Sequence, residues 1–225
     1  MAHDVLSPAA PAVTPPPADH RQEGGVAVSD GAVRRITATT GFYAAAMTLI
    51  EVPMYLLYSG PPTEASVLGR SLFGMIGLTF LAVFMVGLRS LLGRRIPGIE
   101  PAAGLASAAG LLWVAVEFVS TGLEAGASGG TYVLYGAAAR LIEALFLVAF
   151  AYTVLRTRRI VRWTAWSALA LAAVNLAFVP SIFFGDDPAD FYAANGWGTT
   201  ALTGTLFMLW LLATSLATFH HPRRA

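Results

Sequence analysis

Six long apolar stretches dominate this 225-residue sequence and leave few folds open to it. They run over about 36–58, 70–92, 102–122, 131–155, 163–184 and 198–219. Each is long enough to cross a hydrocarbon core of about 30 Å, which takes roughly 20 helical residues. Lipid cannot hydrogen-bond a backbone, so only helices or a closed barrel span it, and these stretches lack the period-two alternation of barrel strands. The expected fold is therefore all-α, a polytopic membrane bundle of six transmembrane helices. With 56% hydrophobic and 12% charged residues and a positive mean hydropathy, the composition is too apolar for an ordinary soluble domain.

The basic residues set the expected orientation. All 14 are arginine. Arg34 and Arg35 precede the first stretch, Arg89, Arg94 and Arg95 follow the second, Arg156, Arg158, Arg159 and Arg162 join the fourth and fifth, and Arg223 and Arg224 follow the sixth. The alternate loops carry Glu64, Glu124, Asp186, Asp187 and Asp190, with Arg70 as their lone basic residue. The positive-inside rule then places both termini in the cytoplasm, with the protein multi-pass in the plasma membrane. Tyr55, Tyr58, Tyr132, Tyr135, Tyr192 and Trp197 fit an outer aromatic belt, and Trp163 and Trp166 an inner one.

Residues 1–33 are polar and rich in proline and alanine, with Pro8, Pro11, Pro15, Pro16 and Pro17, and read as a disordered cytoplasmic tail. A docking segment for a protein partner is the alternative. No positive n-region followed by an apolar core marks a signal peptide, so the first helix is expected to anchor the chain. The transmembrane domain spans 34–221, and 222–225 form a short cytoplasmic end.

Within the apolar stretches a few ionisable residues stand out, and these carry the functional question. Intramembrane charges are expensive and face protein or water. At 1.5 Å per residue, Glu51 lies about 12 Å below the outer boundary, Glu117 about 8 Å, Arg140 about 13 Å and Glu143 about 18 Å. Polar neighbours at helical spacing extend each position along one face: Thr48 and Tyr55 with Glu51, Trp113 with Glu117, and Gly136 with Arg140. Helix 5 adds Asn175, and helix 6 adds Thr199, Thr203 and Thr214. Pro53 and Pro180 are positioned to kink helices 1 and 5. Gly74 and Gly77 on helix 2, Gly104 and Ala108 on helix 3, and Gly136 on helix 4 are the small residues expected to permit close packing.

Three glutamates against one arginine leave an excess negative charge in a low-dielectric region. Protonation of a carboxyl, a bound cation or an opening to outside water restores the balance, and the first two are the raw materials of proton or cation coupling. The expectation is that helices 1, 3 and 4 surround a cluster of Glu51, Glu117, Arg140 and Glu143 opening toward the outer face, in which Arg140 pairs with Glu117 or Glu51, with Asn175, Trp113 and Tyr55 as further candidates for handling a ligand or proton. The alternative is a lock that fixes helix register in a non-transporting structural or partner subunit.

Other chemistry finds little support. The absence of cysteine excludes disulfides, thiolate catalysis and cysteine metal sites. His3, His20, His220 and His221 all lie in terminal segments, so no metal site is expected. Asp186, Asp187 and Asp190 form an acidic loop without the spacing of a calcium-binding EF-hand. No HExxH, nucleophile elbow or phosphate loop occurs, so neither an enzyme nor a cofactor is expected, an intramembrane acid pair of Glu117 and Glu143 being the one catalytic alternative. The arginines form no contiguous patch, which argues against nucleic acid. The expected partners are the lipid bilayer and a small solute or proton, with a protein partner or homo-oligomer left open.

Arg162-Trp163 opening helix 5, then Asn175, Pro180 and Gly196-Trp197-Gly198-Thr199-Thr200 before helix 6, resemble small bacterial integral membrane proteins grouped as domains of unknown function. The resemblance spans roughly residues 36–219 and implies a membrane location and no particular activity.

Overall fold

The computed structural model describes residues 29–57, 65–93, 98–126, 136 and 138–220. Its helices are α1 (Asp30–Leu57), α2 (Ala65–Gly93), α3 (Glu100–Gly126), α4 (Ala139–Thr157), α5 (Arg162–Phe178) and α6 (Thr203–His220). A 3-10 turn over Val179–Phe183 extends α5, and a π turn over Gly198–Leu202 leads into α6. No strand occurs among the described residues.

Helix ends follow local chemistry. Residues 30–33, expected in the polar tail, form the first turn of α1, because the Ser29 hydroxyl accepts the Ala32 N–H at 3.2 Å and Asp30 favours the positive helix end. Pro53 lies inside α1, which continues through it to Leu57. Pro180 has no N–H to give to an α-helical turn, and there α5 tightens into its 3-10 extension. The expected start of helix 4 near 131 falls outside the described residues, and α4 is described from Ala139.

Cross-helix pairs fix an antiparallel order. Along the α1–α2 seam, Thr37, Thr48 and Glu51 meet Gly87, Gly77 and Gly74 in turn. A Cβ at Gly77 would stand 2.9 Å from the Thr48 hydroxyl, so these glycines let the two backbones close together. Ser107 of α3 donates to the Met85 carbonyl of α2 at 3.2 Å, and Arg34 of α1 donates to the Thr218 carbonyl of α6 at 2.6 Å. Consecutive helices pack as neighbours from α1 to α5, and α1 closes the bundle against α6. Arg34, Arg35, Arg89, Arg156, Arg158, Arg159 and Arg162 thereby gather at one end, and the acidic 186–190 loop lies at the other.

The surface is inside out by soluble-protein standards. On α4, Leu141, Leu145, Val148 and Tyr152 are exposed at i, i+4, i+7 and i+11, and on α2 Leu68, Leu72, Ile76, Val83 and Val86 form a similar stripe. Water does not tolerate contiguous apolar faces of that extent on a monomer, whereas lipid does. Four helical segments, Leu68–Gly93, Glu100–Thr121, Arg162–Phe183 and Gly198–His220, are long and apolar enough to cross a membrane. The other two, α1 and α4, carry Glu51 and the Arg140–Glu143 pair.

Between the 3-10 and π turns the chain folds inward. Ala193, Ala194 and Asn195 are buried, the Ala194 N–H donates to the Gly185 carbonyl at 2.8 Å, and the Tyr192 hydroxyl donates to the Ala177 carbonyl. Gly136 lies so close beneath that an added Cβ would fall on the Ala194 carbonyl. Gly104, expected to serve close packing, faces open space instead. Gly136→Ala is therefore expected to lower stability by about 1–3 kcal/mol through overpacking against backbone. Gly104→Ala should be neutral or slightly stabilising, since alanine is the better helix former. Thermal unfolding in detergent compares the two, and equal behaviour would contradict this packing.

Candidate functional site

Four helices and one loop build the buried polar centre. Arg140 and Glu143 lie one turn apart in the first turns of α4, so their side chains share a face, and both are buried. Arg140 Nη1 donates to Glu143 Oε2 at 2.7 Å and to Thr203 Oγ1 of α6 at 2.8 Å. Its Nη2 donates to Glu117 Oε1 of α3 at 3.4 Å. Trp113, one turn before Glu117, donates its indole N–H to the same oxygen at 2.9 Å.

On the far side of Glu143, Asn175 Nδ2 of α5 donates to Oε1 at 3.0 Å and to the Leu171 carbonyl at 3.0 Å. The Thr203 hydroxyl passes the network on by donating to the Thr199 carbonyl at 2.6 Å, and the Thr199 hydroxyl donates to the Ala193 carbonyl at 2.7 Å. Polar contacts thus extend through Thr199 from the guanidinium to the infolded loop. Arg140 Nε–H and Asn175 Oδ1 are buried without a hydrogen-bond partner. Unpartnered buried groups of this kind carry a desolvation cost of about 1–3 kcal/mol each.

Beside this centre sits an aromatic block. Trp113 meets Phe207 at 4.6 Å between ring centroids, Phe207 meets Trp210 at 5.5 Å, and Trp210 meets Phe150 at 5.1 Å. The Trp210 indole N–H donates to the Thr164 carbonyl at 3.1 Å, which anchors the block to α5. Thr199 of the π turn is followed by Thr203, Phe207, Trp210, Thr214 and Thr218 on the buried side of α6. Polar groups therefore lie on both sides of the aromatic rings along that face.

Of the residues singled out from the sequence, Trp113, Glu117, Arg140, Glu143 and Asn175 come together. Glu51 differs. Its carboxylate lies over Gly74 on the α1–α2 seam. The side chain of Tyr55 lies outside the described residues. The walls of the site are α3, α4, α5 and α6 rather than helices 1, 3 and 4, because the glycine seam draws α1 onto α2 and its other face onto α6. Thr203, noted in the sequence only among the helix-6 threonines, is also a member of the site. Its signal was the Thr199–Thr203 spacing of four on helix 6, which stacks both hydroxyls on one face.

One guanidinium here faces two carboxylates, a formal charge of −1 before Glu51 is counted. Such a centre can hold a proton or a small cation, or an uncharged molecule with both donor and acceptor groups. Asp186, Asp187 and Asp190 are exposed, Asp187 accepts the Ala189 N–H at 2.9 Å, and among the described residues no three His, Asp or Glu side chains converge on a metal-sized site.

Fold and site together define an all-helical protein, compatible with embedding in a membrane, whose core holds an Arg–Glu network shared by four helices. No protein family, curated protein or solved structure matches the chain.

Proposed function

We propose that the chain is a six-span plasma-membrane protein with cytoplasmic termini, in which the Glu117–Arg140–Glu143 centre handles a proton or small cation in concert with a small solute. The charge balance carries this reading: two carboxylates, Glu117 and Glu143, share one guanidinium in the buried centre of the bundle. A lone excess negative charge is unfavourable in a low-dielectric interior, and a mobile positive charge removes the penalty. The unpartnered Asn175 Oδ1 and Arg140 Nε–H add an acceptor and a donor beside the same carboxylate. The arginine-rich end supports the cytoplasmic assignment through the positive-inside rule, and α1 and α4 complete the six spans with their charges turned into protein. The resemblance to small bacterial membrane proteins belongs to the same reading.

A second reading has its own observation. Arg140 holds partners on α3, α4 and α6 at once, the connectivity of a helix-register lock in a structural or partner subunit. Flux measurements in proteoliposomes separate the two. With an imposed proton or sodium gradient, the intact protein is expected to carry flux above empty vesicles, and Glu143→Gln to abolish it while Leu141→Ala on the lipid face does not. A folded, correctly inserted protein that carries no proton or cation flux would sink the first reading and favour the lock.

A further inference from the structure

Glu143 uses its two carboxylate oxygens differently. Oε2 accepts from the Arg140 guanidinium at 2.7 Å, whereas Oε1 faces α5 and accepts from Asn175 Nδ2 at 3.0 Å. The same Nδ2 donates to the Leu171 carbonyl at 3.0 Å, so one amide nitrogen lies between a carboxylate oxygen and a backbone oxygen. The other half of that amide, Asn175 Oδ1, is buried without a hydrogen-bond partner, and Asn175 and Glu143 are both 0% exposed. An unpartnered amide oxygen in a native core calls for a physical reason, and a bound ion is one of the few available.

A half-turn of the Asn175 amide exchanges its oxygen and nitrogen. The terminal torsion that carries this out is broad and roughly two-fold. Without a positive charge beside it the NH2-inward setting wins, because Nδ2 makes two hydrogen bonds that Oδ1 would forfeit. After the half-turn three oxygens converge, with Asn175 Oδ1 about 3.0 Å from both Glu143 Oε1 and the Leu171 carbonyl. Carboxylate, amide and backbone carbonyl oxygens are the ligands of hard cations. Charge then selects among these ions. Ionised Glu117, Arg140 and Glu143 sum to −1, which a monovalent ion neutralises and a divalent one reverses. The close spacing of the oxygens suits sodium better than the larger potassium. A proton on Glu143 would use only Asn175 Oδ1 as its acceptor and would leave the Leu171 carbonyl without the amide donor, whereas sodium engages all three oxygens.

We propose, resting on the reading of the centre as one that takes up a positive charge, that Glu143 Oε1, Asn175 Oδ1 and the Leu171 carbonyl hold a sodium ion. The Asn175 amide presents its oxygen when the ion binds and its NH2 when the ion leaves. The ion ties α4 to α5 on the side of Glu143 away from Arg140, so the guanidinium keeps its own bond to Oε2 in both states. Both ligand side chains are buried, so the ion enters by local opening of the bundle and its binding is read at equilibrium.

Equilibrium binding of radiolabelled sodium to the full chain in detergent, at fixed pH and with choline chloride holding the ionic strength, tests it. One saturable site per chain is expected, from which unlabelled sodium displaces the label at lower concentration than potassium does. Asn175→Ala, which leaves both glutamates in place, should weaken binding by about tenfold or more. Glu117→Gln gives up no ligand but removes the surplus charge, so it should weaken binding too, while Leu141→Ala on the lipid face leaves it unchanged. Thermal unfolding in choline chloride checks that each variant is folded, and sodium should raise the midpoint of the intact protein but not that of Asn175→Ala. No saturable sodium binding by the folded intact protein, equal displacement by potassium, or undiminished binding by Asn175→Ala would each overturn the proposal. Proton flux without sodium binding overturns it and leaves the transport reading standing, whereas sodium binding without flux supports the site and removes transport.

Discussion

Arg140→Ala is expected to destabilise the protein by about 3–5 kcal/mol, the largest effect of any single substitution at the centre. The loss is larger than that of the hydrogen bonds themselves. Removing the guanidinium leaves the buried Glu117 and Glu143 without their compensating charge. The diagnostic variant is therefore the double one. Arg140→Ala with Glu143→Gln removes one excess charge along with the cation and should recover a substantial part of the stability. Unfolding midpoints in detergent measure both. A double variant less stable than Arg140→Ala alone would show that packing of the Arg140 stem, rather than its charge, dominates the site.

Phe207→Ala should cost a comparable 3–5 kcal/mol, for a different reason. Phe207 is fully buried and touches Trp113, Phe146 and Trp210, so its removal opens a void that rigid aromatic neighbours fill poorly. It also separates the hydroxyls of Thr199 and Thr203 from those of Thr214 and Thr218 along one face of α6. The variant is therefore expected to raise passive proton leak in proteoliposomes as well as to unfold more easily. Phe207→Leu, which preserves most of the volume, should restore the seal and most of the stability. A leak that is the same in both variants would place the barrier elsewhere.

The helices were legible in the sequence because a long apolar run is local information. The contacts Arg140–Glu143 and Trp113–Glu117 are local as well, since spacings of three and four on a helix put side chains on one face without reference to the rest of the fold. Which helices meet is not local. Glu51 has the depth and the charge to join Arg140, yet three glycines on α2 set where α1 lies, and their combined effect depends on the shapes of both helices. The infolding of 193–195 was equally hidden, because alanine and asparagine next to acidic and aromatic residues read as an ordinary outer loop. Only the backbone carbonyl of Ala193, accepting from Thr199, reveals that the loop continues the polar network.

The chain order of the network's members also bears on biosynthesis. Chains are made and fold from the N-terminus, so in the six-span reading proposed above α4 reaches the membrane before Asn175 and Thr203 have been synthesised. During that interval the partners available to Arg140 within the network are Glu143, on its own helix, and Glu117, on the helix just before it. A helix carrying a charged pair is costly to release into lipid alone. Helices α3 and α4 are thus best delivered as a hairpin, with Glu117 escorting Arg140 until α5 and α6 arrive, and the weakest bond of the finished network is the one that carries its assembly.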